Sequence, residues 1–173
     1  MTTKAASLQQ EVQGWFAGRI PDEWFQGPAE VSVDGDEILV VGSLDEPEVP
    51  EGASADTARV ARIKRFREET RDARMAIADE AQRLFGRTVS WGASVGEVQR
   101  LFTTLNVPVM TRLRMPERTV LDTLVEGGVA RSRSEAMAWC VRLVGQHQAD
   151  WIEDLKDALT HVQKVRAEGP TSL

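Results

Sequence analysis

The sequence predicts an α+β fold in which an N-terminal αββαββ-like domain precedes a short strand, two helices and a terminal helix. Three observations lead to this prediction. Apolar residues recur at spacings of three and four in five segments, two pairs of alternating segments flank turn-forming residues, and glycines interrupt these patterns. The predicted domains are residues 1–106, 107–147 and 148–173, and 173 residues suffice for one or two small cores.

The N-terminal domain is predicted to begin with a helix at about residues 5–18. The apolar stripe of this helix consists of Leu8, Val12, Trp15 and Phe16. A β-hairpin follows, because residues 30–33 and 38–41 flank the turn sequence Asp34-Gly35-Asp36-Glu37. Residues 44–56 then form an acidic, proline-containing loop.

A long helix is predicted at about residues 55–85, ended by Gly86. Its apolar side consists of Val60, Ile63, Phe66, Ala73, Ile77, Ala81 and Leu84. A second hairpin is predicted from strands at 88–91 and 98–103, with its turn within 92–96. The sequence leaves open whether this domain binds a ligand, binds a protein partner or strengthens dimerisation.

The long helix also carries the densest basic cluster of the chain: Arg59, Arg62, Lys64, Arg65, Arg67, Arg71 and Arg74. Acidic residues interleave with this cluster at helical spacing, namely Glu68, Glu69 and Asp72. Two interpretations remain open. The cluster is either a solvated face crossed by ion pairs or an auxiliary surface that contacts DNA phosphates.

A strand is predicted at residues 109–115, because its side chains alternate in character. One face carries Val109, Thr111, Leu113 and Met115, and the other carries Met110, Arg112 and Arg114. Pro116 ends the strand and favours the first turn of a helix.

Two helices are predicted after this strand. The first spans about 117–126, with a stripe formed by Val120, Leu121, Leu124 and Val125, and it ends at Gly127-Gly128. The second begins after Ser132, which together with Glu135 forms a capping-box pattern. Its apolar surface consists of Met137, Trp139, Cys140, Leu143 and Val144.

A single strand leaves its backbone groups unpaired, so strand 109–115 needs a partner. Pairing with the same strand of a second copy would give an antiparallel ribbon and a homodimer with an isologous interface. Pairing with strand 98–104 of the same chain is the alternative, and in that case Arg112 and Arg114 would be ordinary surface residues.

Residues 109–145 resemble the ribbon-helix-helix superfamily of the Arc and MetJ type in their strand, proline, glycine turn and Ser132-Arg133-Ser134 start. The resemblance implies that Met110, Arg112 and Arg114 contact bases in the major groove. It also implies that the backbone at Ser132, Arg133 and Ser134 holds a DNA phosphate. We therefore expect a cytoplasmic, dimeric transcriptional regulator of the repressor class that binds double-stranded DNA.

Charge is strongly segregated along the chain, although the net charge is only −6. Residues 1–57 hold two Lys/Arg and twelve Asp/Glu, and residues 107–147 hold six and four. DNA binding depends on local basic surface, so the overall acidity is compatible with the expected partner.

The last helix is predicted at about 149–167, with Trp151, Ile152, Leu155, Leu159, Val162 and Val165 on one side. Such a helix, like the N-terminal domain, is a candidate surface for a protein partner. The alternative function is therefore a protein-interaction or antitoxin-like dimer that keeps the ribbon-helix-helix fold without reading DNA.

Other function classes find little support in the sequence. The two histidines, His147 and His161, belong to no zinc-binding pattern, and no phosphate-binding glycine loop or nucleophile motif is present. We therefore expect no enzyme activity, no cofactor and no metal. The chain has no apolar run long enough to span a membrane and no signal-peptide pattern at residues 1–10, and its single Cys140 suits a reducing compartment.

Overall fold

The computed structural model describes residues 2–168, so the end of the predicted 148–173 segment lies outside the described residues. The α+β class is confirmed, since this range contains six α-helices and one four-stranded sheet. The chain divides into two compact units, Met1–Val107 and Pro108–Leu173.

The first unit contains three helices and the whole sheet. Its elements are α1 (Thr2–Arg19), a 3₁₀ turn (Asp22–Trp24), β1 (Glu30–Val33), β2 (Glu37–Ser43), α2 (Ala55–Glu69), α3 (Arg71–Phe85), β3 (Thr88–Val95) and β4 (Val98–Leu101). The strand order is β1-β2-β3-β4. The outer pairs are antiparallel, whereas β2 and β3 are parallel, with Val40 opposite Trp91.

The core of this unit lies between one face of the sheet and the three helices. The sheet contributes Ile38, Val40, Val89, Trp91, Ala93 and Val95, and the helices contribute Val12, Phe16, Ile63, Phe66, Ile77 and Ala81. Asp34 fixes the β1–β2 turn, because its carboxylate accepts hydrogen bonds from the backbone N–H groups of Asp36 and Glu37. These bonds, the one from Asp36 first, lower the pKa of Asp34.

The prediction of one unbroken helix over 55–85 is wrong, since α2 and α3 are separated at Thr70. The Thr70 hydroxyl donates to the carbonyl of Phe66 at 2.6 Å, and Arg74 Nη2 donates to the carbonyl of Arg67 at 2.6 Å. Side-chain bonds to helix carbonyls of this kind bend or interrupt helices.

The second hairpin also differs from its prediction. Strand β3 continues through Gly92 to Val95, and the turn lies at Gly96 and Glu97. Gly92 lies so close to β4 that an added Cβ would be 2.8 Å from Leu101 Cδ2 and 3.1 Å from the Arg100 carbonyl oxygen. The glycine that was assigned to the turn therefore permits close approach of two strands.

The second unit contains α4 (Met115–Glu126), α5 (Arg133–His147) and α6 (Ala149–Glu168). The predicted strand at 109–115 is absent from the single chain, because residues 109–114 are irregular and Met115 begins α4. These residues do not pair with β4 either, whose one partner in the described sheet is β3. The structure thus excludes the intrachain pairing and supplies no second strand to 109–114.

Candidate nucleic-acid interface

The segment before α4 presents its polar and basic side chains to solvent. Met110 is 93% exposed, and Arg112 and Arg114 are also exposed. Neither arginine forms an ion pair with any described residue. Leu113 lies between them and packs into the small core of the second unit. The alternation around Leu113 therefore leaves two guanidinium groups free for an external anion or base.

The backbone of this segment is also free. No backbone N–H of residues 109–114 donates to an acceptor within the described part of the chain. Exposed backbone of this kind can add a strand from another chain.

Helix α4 begins and ends as the sequence predicts. Pro116 occupies its first turn. At the other end, Gly128 has φ 74°, its N–H donates to the Val125 carbonyl at 3.1 Å, and the Val129 N–H donates to the Leu124 carbonyl at 2.9 Å. This pair of bonds is a Schellman motif, which requires the left-handed residue that glycine supplies.

Helix α5 begins with the predicted cap. Ser132 Oγ accepts from the Glu135 N–H at 3.2 Å, and the Glu135 carboxylate accepts from the Arg131 N–H at 2.8 Å. The backbone N–H groups of Arg133 and Ser134 find no acceptor among the described residues, and both side chains are exposed. The N-terminus of α5 therefore offers free N–H groups and the positive end of the helix dipole.

Sequence reasoning missed the partner of the Arg133 side chain. Its Nε and Nη2 donate to the two carboxylate oxygens of Asp122 in α4, at 2.6 and 2.7 Å. The bond from Arg133 lowers the pKa of Asp122 and raises that of Arg133. The two residues are eleven positions apart on different helices, so no local pattern announces the pair.

The second unit buries little apolar surface within one chain. Among its described residues, the buried apolar side chains are Leu121, Ala130 and Ala136. Other apolar residues of α4 and α5 remain exposed, namely Val120 at 54%, Val141 at 65%, Leu143 at 36% and Val144 at 51%. Helices of this length gain most of their stability from packing an apolar face, so these faces are suited to another chain.

Two family models match the chain. Residues 10–101 match the N-terminal domain of Rv1265-like protein, and residues 114–166 match the Mb1296 C-terminal domain. Proteins similar to this chain include Rv1265 of Mycobacterium tuberculosis (strain ATCC 25618 / H37Rv) and Mb1296 of Mycobacterium bovis (strain ATCC BAA-935 / AF2122/97). Each is 56% identical over 156 residues, which cover 90% of this chain and 69% of the relative. The chain belongs to the Rv1265-like family.

The Rv1265-like relatives are both described as uncharacterized proteins, so their names bring no activity to this chain. No solved structure matches it. The two family models end and begin on either side of residues 102–113, which include the division between the units at 107/108. Met110 and Arg112 lie between the two models, whereas Arg114 and the start of α5 lie within the second.

The basic cluster of this Rv1265-like chain is divided between paired and unpaired residues. Arg59 pairs with Glu46 and Asp56, Lys64 lies 3.8 Å from Glu68, and Arg71 lies 3.5 Å from Asp72. The cluster residues Arg62, Arg65 and Arg67 have no ion pair within residues 2–168. Part of the cluster thus has the ion-paired character of a solvated helix surface.

Arg74 departs from the solvated interpretation of the cluster, because it is only 6% exposed. Its guanidinium lies 4.7 Å from the centroid of the Phe102 ring and donates from Nε to Thr70 Oγ1. Burial, with the nearby charges of Arg67 and Arg71, lowers the pKa of Arg74 to about 10. Arg74 is therefore a packing residue at the α2–α3 break that remains cationic at neutral pH.

Two further observations concern the described residues alone. None of their helices is long and apolar enough to cross a bilayer. Within the same residues, no group of three or more His, Cys, Asp or Glu side chains is arranged to hold a metal ion.

Proposed function

We propose that this Rv1265-like chain is a sequence-specific DNA-binding transcriptional regulator that acts as a ribbon-helix-helix homodimer in the cytoplasm. In the dimer, residues 109–114 of two copies form an antiparallel β-ribbon that enters the major groove. Met110, Arg112 and Arg114 face the bases, and the start of α5 at Ser132, Arg133 and Ser134 faces a phosphate. The proposal makes the protein a regulator rather than an enzyme.

The observation that carries the proposal is the exposed, unpaired state of Arg112 and Arg114 immediately before two capped helices. A guanidinium that already pairs with a carboxylate would have to exchange that partner for a base. These two have no such partner in the described chain, so their hydrogen-bonding capacity is available to guanine O6 and N7.

Dimerisation is supported by two independent deficits of the single chain. The backbone of residues 109–114 lacks hydrogen-bond partners within the described residues, and the apolar faces of α4 and α5 are only partly covered. A second copy would satisfy both at once, because an antiparallel ribbon pairs the backbone and brings both helix pairs to its inner face.

The DNA-binding proposal is tested by replacing the two arginines together. Fragments that the wild-type protein selects from its source genome serve as ligands, at about 0.15 M salt. Arg112→Ala/Arg114→Ala should abolish specific binding while the circular dichroism spectrum and the dimer mass stay unchanged. The matched control Arg83→Ala/Arg100→Ala removes the same charge from exposed positions of the first unit and should bind normally. Equal affinity of the two double variants would overturn the proposal.

The second candidate function is an interaction or antitoxin-like dimer that keeps the same fold without reading DNA. The apolar face of α6, which is exposed in the second unit, favours it. Co-purification with one stoichiometric protein, together with no retention of selected DNA fragments, would support this candidate instead.

A further inference from the structure

Helix α6 has an apolar face that the rest of the chain leaves uncovered. The exposed fractions of its large apolar side chains are 58% for Trp151, 42% for Leu155, 55% for Leu159, 49% for Val162 and 54% for Val165. Residues 151–165 extend over about 21 Å at 1.5 Å per residue. An exposed apolar stripe of this length is typical of an interaction surface.

The spacing of the stripe is that of a helix that packs lengthwise against another helix. Ile152, Leu155, Leu159 and Val162 follow one another at intervals of three, four and three residues. Ala158 and Val165 extend the same face at the second edge. Intervals of three and four keep apolar side chains on one seam between two helices.

The charges of α6 are divided between its two ends. Its first half carries Asp150, Glu153, Asp154 and Asp157 against Lys156, and its second half carries Lys164 and Arg166 against Glu168. A helix that lies beside this one without like-charge repulsion must be basic where α6 begins and acidic where α6 ends. A reversed copy of α6 itself has that charge distribution.

We propose that α6 pairs with α6 of a second copy in antiparallel orientation. In the register that sets Leu155 against Val162 of the second copy, Ile152 faces Val165 and Leu159 faces Ala158. The same register places Glu153 beside Lys164 of the second copy, and the two-fold axis repeats this contact. A parallel pair would instead bring the acidic halves together.

The α6 pair is independent of the DNA-binding proposal, because it rests on residues 149–168 and not on the segment at 109–114. It is isologous, since each copy contributes the same surface. Lys164 has no ion pair among the described residues of its own chain, whereas Glu153 pairs with Lys156 at 3.0 Å. Lys164 is therefore the more informative position to change.

Cross-linking tests the orientation in the full-length protein. In a Cys140→Ala background, Ala158→Cys and Glu153→Cys are compared with a short bis-maleimide. Ala158 lies next to the proposed two-fold axis, so its variant should give a covalent dimer. The two copies of position 153 would be eleven residues apart along the axis, about 16 Å, so that variant should not cross-link.

Two results would overturn the proposal. Cross-linking at both positions indicates a parallel pair, and cross-linking at neither shows that α6 faces something other than a second α6. Adding Arg112→Ala/Arg114→Ala to the Ala158→Cys chain should leave the cross-linked fraction unchanged. A failure of DNA binding and a failure of α6 pairing are thereby distinguished.

Charge exchange gives a second measurement that does not depend on cysteine geometry. Lys164→Glu alone and Glu153→Lys alone should each weaken self-association several-fold in sedimentation experiments on the Arg112→Ala/Arg114→Ala background. The double exchange should restore the association, because each attraction is rebuilt with reversed sign. Restoration is expected for the antiparallel register alone, so a double variant as weak as the single variants would refute the register.

Discussion

The pair formed by Arg133 and Asp122 allows the proposed phosphate contact at α5 to be tested directly. The pair uses two of the five N–H donors of the guanidinium, at 2.6 and 2.7 Å from the carboxylate oxygens. Three donors remain for a phosphate, and the side chain of Arg133 is 61% exposed. Arg133 can therefore hold Asp122 and a DNA phosphate together, with Asp122 offsetting part of its charge.

Arg133→Gln should remove one phosphate contact from each copy. Each such contact contributes about 0.9 to the slope of log affinity against log salt, so the slope of a dimer should fall by roughly two. All DNA sequences should be affected alike, because phosphates carry no sequence information. Asp122→Asn should have the opposite sign and tighten binding to every sequence, since it leaves Arg133 charged and removes the neighbouring anion.

Filter binding or fluorescence anisotropy over a salt series measures both effects, with selected and unrelated duplexes in parallel. Arg142→Gln is the matched control, because Arg142 lies on the same helix, is exposed and has no ion pair in the described chain. Circular dichroism verifies that each variant is folded. Equal slopes for Arg133→Gln, Arg142→Gln and the wild type would remove the start of α5 from the DNA interface.

Three further predictions concern the folded chain itself. Gly128→Ala should destabilise the α4–α5 turn by about 1 kcal/mol in thermal unfolding because its φ is 74°, whereas Gly145→Ala, at an open helical position, should stabilise the protein by up to about 1 kcal/mol. Gly42→Ala should cost roughly 1–3 kcal/mol in denaturant unfolding, since its Cβ would lie 2.2 Å from Phe25 Cδ1. Asp34 has a lowered pKa because the backbone N–H groups two and three residues later donate to it, so its stabilisation is present above the unfolded pKa of about 3.9 and is lost as pH falls through the lower folded value; Asp34→Asn should remove this part of the acid sensitivity, measured by unfolding at several pH values.

Local signals predicted the elements of the second unit well. Gly128 and Ser132 lie at the end of α4 and the start of α5, because a left-handed residue and a side-chain cap act over one turn of helix. The hairpin of β1 and β2 was predictable for the same reason, since Asp34 makes its turn within four residues. Features determined by neighbours in sequence can be read from sequence.

Contacts between distant residues were not predictable in this way. The pattern that placed Arg74 on a solvated face contains no sign of Phe102, which lies 28 positions later and covers its guanidinium. The break at Thr70 depends on the same environment, because Arg74 donates to the Thr70 hydroxyl. The strand at 109–115 depends on another molecule, and a single chain leaves it irregular.

The ribbon and the α6 pair place a joint requirement on the assembly. Each is an isologous contact and therefore generates its own two-fold axis. If the axes coincide, one dimer contains both contacts and the protein in solution has the mass of two chains. If they are distinct, the α6 pair joins ribbon dimers, and closed symmetry then requires at least four chains and two copies of the DNA-binding surface. Light scattering of the wild type beside a Lys164→Glu variant separates these cases, because only the second arrangement loses half of its mass when α6 pairing is weakened while the ribbon remains.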